Sequence, residues 1–120
     1  MRYALLICTE EAADEAHSPD EVAASMAGYM AFGEEMTRRG VLTGGERLRP
    51  TTDATTVQVR NGEVLTSDGP FAETKEQLGG YFIVEAKNLD EAIAIAARIP
   101  SVRVGGSIEV RPIMEIDFSK

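Results

Sequence analysis

The apolar run YALLIC, from Tyr3 to Cys8, decides the fold because it has the pattern of a central strand. Successive side chains of a β-strand point to opposite faces, so one face would carry Tyr3, Leu5 and Ile7 and the other face the remaining three residues. Both faces are then apolar, which is typical of a strand covered on both sides. The run therefore predicts a strand in the middle of a sheet. The rest of the chain must contain the neighbouring strands and the elements that pack on both faces of this strand.

A helix is predicted after this strand, because residues 18–21 carry the signals of a helix start. Ser18 is a suitable N-cap, Pro19 fits the first helical position, and Glu21 completes a capping box. Gly40 supplies a stop at the other end. In between, apolar residues recur at steps of three and four, which predicts one buried stripe: Val22, Met26, Tyr29, Met30, Gly33 and Met36.

The remaining elements follow from turn residues and from alternation. Asn61-Gly62 favours a type I′ turn, which places Val59 opposite Val64 in a hairpin. Gly44-Gly45 indicates a bulge or a close backbone approach within a strand. The predicted strands are 41–49, 55–60, 63–67, 80–86 and 108–116, and a second helix spans 88–98. Its buried stripe is predicted to leave out Ile95 and to consist of Leu89, Ala92, Ile93, Ala96 and Ile99.

Without the hairpin, the predicted order is strand, helix, strand, strand, helix, strand. Two β-α-β units in this order form the ferredoxin-like βαββαβ pattern, an α+β fold. Right-handed crossovers place both helices on the same side of one antiparallel sheet. Since 120 residues suit one domain, we predict a single domain over residues 1–120 with an inserted β-hairpin.

Two helices can cover only one face of a four-stranded sheet. The other face carries apolar residues of the first strand and of the strand at 80–86, together with Glu109 and Arg111. Monomers seldom expose an apolar patch as large as one face of a sheet. We therefore predict a homodimer in which two copies pack face to face.

Composition excludes several classes of function. The formal net charge is −8, whereas binding to nucleic acids and anionic membranes depends mainly on Lys and Arg. Cys8 is the only cysteine and His17 the only histidine, which excludes an internal disulfide and leaves too few ligands for a zinc site. The N-terminal apolar run is too short for a signal peptide, and no run reaches the roughly 18 residues of a membrane span. We expect a cytoplasmic protein with no metal, cofactor, nucleic-acid partner or membrane partner.

Several separated blocks of the chain resemble the YCII-related family, in its DGPF branch. The main block is DGPFAETKE at residues 68–76, which continues into LGGY at 78–81. GERL at 45–48, DEA at 90–92 and EVRP at 109–112 resemble the same branch. The resemblance covers nearly the whole chain and implies a ferredoxin-like fold that assembles as a dimeric α+β barrel.

The resemblance also shows where this chain departs from its relatives. Other YCII-related proteins use a His–Asp pair as a catalytic centre, and one relative removes chloride from a chlorinated hydroxyquinol. Here the only histidine, His17, precedes the first predicted helix, whereas the family histidine lies within that helix, near Tyr29. The lyase-like chemistry therefore does not carry over. The family is further associated with sigma-factor genes, which implies a role in signalling.

Glu46 is the first candidate for acid–base chemistry. A carboxylate in a sheet that faces a dimer partner is costly unless it is paired, so its presence favours a functional role. Arg47, Arg49 or Arg111 would be its partner, since arginine suits bidentate carboxylate geometry. The alternative is that Glu46 points to solvent at a strand end, because the register across Gly44-Gly45 stays open.

Tyr29 is the second candidate, as a hydrogen-bond donor or weak acid near the position of the family histidine. Its spacing from Met26 and Met30 fits core packing equally well, and core packing is the favoured interpretation.

Asp68 and Lys75 are candidate ligand-binding residues in the DGPFAETKE block, with Arg111 as a further cation for an anionic compound. The structural alternative is favoured for the start of this block, because Asp, Gly and Pro are the residues of a tight turn. Phe71 would then anchor the loop in the core.

Two functions remain open at this point. In the first, the dimer binds a small anionic or aromatic compound in a pocket between sheet and helix. Glu46 would act as base and Tyr29 as acid, while Asp68, Lys75 and Arg111 hold the ligand. In the second, the protein is a non-catalytic regulatory or protein-interaction module of sigma-factor-associated signalling.

Overall fold

The computed structural model describes residues 1–117, apart from the side chains of Asp14 and Glu15. The last three residues of the predicted domain, 118–120, lie outside this range. The helices and strands are β1 (Arg2–Thr9), α1 (Glu11–Glu15), α2 (Pro19–Arg38), β2 (Leu42–Arg47), β3 (Thr55–Arg60), β4 (Glu63–Asp68), β5 (Gln77–Glu85), α3 (Leu89–Ala96) and β6 (Ser107–Pro112). Short 3₁₀ helices at Thr51–Asp53 and Pro100–Val104 complete the order.

Four strands form one antiparallel sheet in the order β2-β5-β1-β6, and β3 pairs with β4 in a separate two-stranded sheet. Helix α2 lies between β1 and β2 in the chain, and α3 lies between β5 and β6. This is the ferredoxin-like α+β arrangement with an inserted hairpin, so the predicted fold is confirmed. No helix in residues 1–117 is both long enough and apolar enough to cross a membrane.

The core lies between one face of the large sheet and helices α2 and α3. On the central strand β1, Leu5 pairs with Phe82 of β5 and Val110 of β6 and is fully buried. The buried cluster combines alternate residues of the strands with residues of both helices: Tyr3, Leu5, Ile7, Phe32, Met36, Val84, Ala86, Ala92, Ile95, Ala96 and Ile99. The intervening residues of β1 therefore face away from the helices.

Helix α2 begins with the predicted capping box. The Ser18 hydroxyl accepts a hydrogen bond from the Glu21 N–H at 3.2 Å, and Glu21 Oε1 accepts one from the Ser18 N–H at 3.1 Å. Both donors belong to the first turn, whose N–H groups have no partner within the helix. At the other end the N–H of Arg39 caps the helix and Gly40 follows at a φ of 72°, as the sequence predicted.

Replacing Ser18 with alanine should lower the free energy of unfolding by about 1 kcal/mol, because the N-cap acceptor is lost. Part of the loss should depend on pH. The Ser18 backbone N–H, which the variant keeps, is the main cause that holds the pKa of Glu21 below its ordinary 4.5, and the Ser18 side chain, which alanine removes, lowers this pKa further. A carboxyl group with a lowered folded-state pKa adds stability that is present above its unfolded-state pKa and disappears as the pH falls through the folded value. Urea unfolding should therefore show a larger difference at neutral pH than below pH 4.5.

Ser25→Ala is the matched control, because Ser25 is an exposed serine inside the same helix. Alanine is the better helix former there, so no loss is expected. An equal loss for both variants, or a difference that grows in acid, would contradict the role of the cap.

The predicted stripe of α2 is wrong in part. Met36 is buried and Tyr29 packs against the core, but Val22, Met26 and Met30 are exposed, Met30 to 66%. The helix instead buries Phe32, whose ring lies 4.9 Å from that of Phe82. On the outer side of α2 a wide groove of about 460 Å³ is lined by Met30, Gly33, Glu34, Thr37 and Arg38.

The predicted stripe of α3 is also rotated. Ile95 is 1% exposed and belongs to the core, whereas Ile93, which the spacing placed on the buried side, is 49% exposed. Ala92, Ala96 and Ile99 are buried as expected. The shift follows from how α3 lies on the sheet, since a helix this short presents more than one plausible apolar stripe.

The hairpin of β3 and β4 turns as the sequence predicted. Asn61 and Gly62 have φ values of 53° and 79°, which suit a type I′ turn, and Val59 pairs with Val64. On one face of the hairpin Val57, Val59 and Val64 are 61–69% exposed. The hairpin therefore carries an apolar surface of its own outside the core.

Candidate functional site

The open face is the side of the large sheet that the helices leave uncovered. Glu46, Tyr81, Leu6 and Glu109 are direct cross-strand neighbours and form one row across the four strands. Neighbouring strands lie about 4.8 Å apart, so this row is roughly 14 Å long. The next row consists of Gly44, Ile83, Ala4 and Arg111. The open face thus has a half-buried apolar centre between charged residues on the two edge strands.

Two glycines position Glu46 on this face. A Cβ atom at Gly45 would lie 2.7 Å from the Tyr81 carbonyl oxygen, and one at Gly80 would lie 2.9 Å from that of Glu46. Larger residues would therefore push β2 away from β5. The register also shifts between Leu42 and Gly44, so the predicted bulge and the predicted close approach are both present. The shift places Glu46 on the same face as Tyr81.

Tyr81 is the neighbour of Glu46 that sequence reasoning missed. Directly opposed residues of antiparallel strands have Cβ atoms about 4.5–5.5 Å apart, which places the phenol and the carboxylate within reach of each other. Alternation along β5 was the available signal, since Tyr81 and Ile83 share the face opposite to Phe82. The bulge in β2 changes the register, so the sequence did not show which residue of β2 lies opposite Tyr81.

Arg111 forms an ion pair with Glu109, two residues before it on β6, and both side chains are largely exposed. The pair lies at the far edge of the sheet from Glu46, because β6 and β2 are the two outer strands. Arg111 is therefore not the partner of Glu46 within one chain. Arg49, another predicted partner, forms an ion pair with Asp53 at 3.0 Å.

Cys8 also lies on the open face, opposite Leu78 and Ser107. Partial burial raises the pKa of the Cys8 thiol above its ordinary 9.0, and the nearby carboxylates of Glu109 and Glu76 raise it further. A thiol with a raised pKa is a poor nucleophile at neutral pH, because the thiolate is the reactive form. Cys8 thus contributes apolar surface to the open face.

Tyr29 lies on the other side of the sheet. It is half-buried on α2 and packs against the helix-side core, whereas Glu46 is on the open face. The sheet therefore separates the two residues proposed as acid and base. Core packing, the favoured interpretation of Tyr29, agrees with this placement.

Asp68 and Lys75 are at the two ends of the loop between β4 and β5, and both are exposed. The turn interpretation of the loop start agrees with the backbone, since Gly69 has a φ of 91° and its N–H donates to the Ala54 carbonyl at 2.7 Å. The expectation that Phe71 anchors the loop in the core is wrong, because Phe71 is 76% exposed. The loop is instead tied to the hairpin by the Thr56 hydroxyl, which donates to the Gly69 carbonyl at 2.8 Å.

This loop forms one wall of a cleft of about 260 Å³, here called the loop cleft. The rest of its lining comes from the chain between the end of β2 and Ala54 and from the start of β5. Its lining consists of Leu48, Arg49, Thr51, Ala54, Pro70, Ala72, Thr74, Gln77 and Leu78. Asp68 and Lys75 do not line the cleft, so the structure does not gather the five predicted site residues into one place.

A hydrogen-bond network fixes the polar side of the loop cleft. The Glu11 carboxylate accepts from the Thr51 N–H at 2.9 Å and from the Thr51 hydroxyl at 2.7 Å. Gln77 Nε2 donates to the Thr51 hydroxyl at 3.3 Å. No sequence signal connected these three residues, since Glu11 and Thr51 are 40 positions apart and meet only through the tertiary fold.

Metal-ligating side chains are scattered across the molecule. Among the described residues, no three or more His, Cys, Asp and Glu side chains form a group that could hold a metal ion. The chemistry available at the open face and the loop cleft is that of carboxylates, phenols, amides and guanidinium groups.

Comparison with known proteins shows similarity over nearly the whole chain. The YCII-related domain family matches residues 1–117. An uncharacterised protein of Rhizobium meliloti (strain 1021) is 39% identical over 114 residues, which is 94% of this chain and 92% of that relative.

Proposed function

Because the chain belongs to the YCII-related family, we propose that it acts as a homodimer that binds a small organic anion between two open faces. The observation that carries the proposal is the composition of the open face. Its centre is apolar and half-buried at Ala4, Leu6 and Ile83, while its edges carry Glu46 and Arg111. An exterior surface that only faced solvent would not need this apolar centre.

In the proposed dimer, the second copy covers the sheet face that α2 and α3 leave exposed. The open face includes the central strands β1 and β5, so burying it on a second copy adds a continuous apolar contact. A two-fold axis brings the same surface of each copy together, so the open face of one copy would pack on the open face of the other. The narrow charged edges would then lie at the rim, where water and ligands still reach them.

The charged edges favour one class of ligand. Arg111 carries a guanidinium group that suits bidentate binding of a carboxylate, and Glu109 holds it at the edge of the face. At the opposite edge, Glu46 is a base beside the Tyr81 phenol, which is a hydrogen-bond donor. An aromatic acid fits this arrangement, since its ring meets the apolar centre and its carboxylate meets Arg111.

One observation favours the alternative function, a protein-interaction module. The hairpin exposes Val57, Val59 and Val64 on one face, and a two-stranded hairpin is marginally stable without further packing. A protein partner on that face would add the missing cover. The two functions differ in where binding occurs, so the test below reports on the position.

Benzoate is a suitable probe for the proposed function. Titrated into the ¹⁵N-labelled full-length protein, it should shift the backbone amides of Leu6 and Ile83 in a saturable manner. Arg111→Gln should weaken benzoate binding by about tenfold, because charge-assisted hydrogen bonds contribute about 1.5–3 kcal/mol. Glu46→Gln should not weaken it, since removal of a carboxylate favours an anionic ligand.

The matched control is Arg103→Gln, which removes an exposed arginine from the 3₁₀ helix at Pro100–Val104. It changes the net charge by the same amount as Arg111→Gln. Equal weakening of benzoate binding by both variants would therefore show that the effect comes from the overall charge. Absence of saturable shifts on the open face would contradict the ligand part of the proposal. Shifts confined to the hairpin would favour the interaction module.

A further inference from the structure

The geometry points to a second binding site, the loop cleft, which takes a short aliphatic carboxylate held by Arg49. The cleft lies at the end of the large sheet and is built from residues of a single chain. Its lining leaves out Ala4, Leu6, Glu46, Ile83 and Arg111, although Leu78 pairs with Cys8 on the open face. The inference therefore goes beyond the proposed function and does not depend on a dimer.

Uncovered apolar surface is the first argument. Leu48, which directly follows β2, and Leu78, at the start of β5, line the cleft and are 41% and 43% exposed. Ala54, Pro70 and Ala72 add further aliphatic surface, and no aromatic residue lines the cleft. A ligand that covers this lining removes aliphatic surface from water, which favours binding.

The charge of the lining is the second argument. Of the described residues that line the cleft, only Arg49 is charged. Its Nε donates to Asp53 Oδ2 at 3.0 Å in an exposed ion pair. Among residues 1–117 its two terminal nitrogens form no hydrogen bond, so they are open to the paired contact that binds a carboxylate.

The nearby acidic residues, Asp53 and Glu11, lie outside the lining of the cleft. Asp53 is paired with Arg49, and both oxygens of Glu11 accept hydrogen bonds from Thr51. Through Thr51, Glu11 also holds Gln77 in place, which leaves the Gln77 amide oxygen as an acceptor for a hydroxyl or amide group of the ligand.

Fixed walls are the third argument. Leu48 donates its N–H to the Gly79 carbonyl at 2.9 Å, and the loop wall is held at Gly69 by bonds to Ala54 and Thr56. The Thr74 hydroxyl donates to the Glu76 carbonyl at 2.7 Å within the loop. A cleft that exists before binding loses little conformational entropy when the ligand enters.

The size of the cleft narrows the class of ligand. Its volume of about 260 Å³ lies below the roughly 300–1,000 Å³ of sites for drug-sized molecules. The aliphatic lining and the single cation together favour a branched carboxylate of a few carbons over an aromatic acid. Isovalerate has this size and shape.

The test is a titration of isovalerate into the ¹⁵N-labelled full-length protein. Saturable shifts are expected at the amides of Thr51, Ala72 and Leu78 and at the side-chain Nε of Arg49. Arg49→Gln should weaken isovalerate binding by about tenfold, since the paired charge-assisted bonds are lost. Isovaleramide, which has the same shape without the charge, should bind wild type as weakly as isovalerate binds the variant.

Arg60→Gln is the matched control, because Arg60 is an exposed arginine at the end of β3 and does not line the cleft. It should leave isovalerate binding unchanged. Equal weakening by both variants, or equal binding of the acid and the amide, would overturn the inference. An unshifted Arg49 Nε in the wild-type protein would overturn it even if the Arg49→Gln variant failed to fold.

The two proposals fail in different ways. Isovalerate shifts at Ala4 and Ile83 that Arg111→Gln abolishes would assign the anion to the open face and overturn the loop-cleft site. Loss of the benzoate response on the open face, with isovalerate still bound at Arg49, would overturn only the proposed function.

Discussion

Leu6→Lys is expected to leave the protein monomeric at micromolar concentration, where we expect the wild type to sediment as a dimer. Leu6 lies at the centre of the open face, between Tyr81 and Glu109, and is half-buried within one chain. A two-fold interface would bury the substituted residue twice. Removing an ammonium group from water costs several kilocalories per mole unless it is paired. The cost of burying two lysines would therefore exceed the free energy gained by dimerisation.

Sedimentation velocity measures this directly, because the monomer has the mass of one chain, 13.0 kDa. The monomeric variant should still fold, since Leu6 faces away from the helix-side core. Far-ultraviolet circular dichroism checks that point. An unfolded variant would be replaced by Ile83→Lys, which changes the neighbouring row of the same face.

Met30→Lys separates the two apolar surfaces of the molecule. Met30 is exposed on the outer side of α2, so a lysine there should leave a dimer through the open face intact. Dissociation by Met30→Lys and not by Leu6→Lys would place the interface on the helical layer. A wild-type protein that sediments as a monomer would contradict the dimer altogether.

Ile95→Ala should lower the free energy of unfolding by about 3 kcal/mol, whereas Ile93→Ala should lower it by less than about 1 kcal/mol. The two isoleucines are two positions apart on α3, so their intrinsic helix propensities cancel in the comparison. Ile95 is 1% exposed and packs in the core, so its removal leaves a cavity. Ile93 lies half in solvent, and little packing is lost there.

Urea unfolding at one fixed protein concentration measures both losses, because dimerisation makes apparent stability depend on concentration. The two variants share the same change of residue and the same helix, and each serves as the control for the other. Equal losses would mean that α3 is rotated from the orientation described. A larger loss at Ile93 would restore the stripe that the spacing of apolar residues predicted.

The comparison of these isoleucines also shows how far sequence reasoning extends. Local signals gave correct predictions where the interaction itself is local. The Ser18–Glu21 capping box, the turn at Asn61-Gly62 and the positive φ of Gly69 all involve residues within three positions of each other. Burial on a helix depends on a distant surface, and there the predictions for Met26, Met30 and Ile95 were wrong.

The residues of the candidate site were also predictable only in part. The sequence singled out Glu46, Arg111 and the DGPFAETKE block, and it left the facing of Glu46 open. A bulge of one residue on β2 decides that facing, because side chains alternate with a period of two and a shift by one reverses them. Arg49 appeared only as a partner for Glu46, whereas its contact with Asp53 and its place in the loop cleft required the fold.

By itself, the sequence determined the order of the six strands and of helices α2 and α3, the ferredoxin-like topology and the family, whereas α1 was not predicted. Each of these depends on periodicity, turn residues and blocks of identity along the chain. Only the tertiary structure decided that Tyr29 and Glu46 lie on opposite sides of the sheet, that Tyr81 stands beside Glu46, and that Glu11 reaches Thr51. The physical reason is that these relations join residues far apart in the chain, and their geometry is set by sheet register and by packing of the helices, which no local pattern encodes.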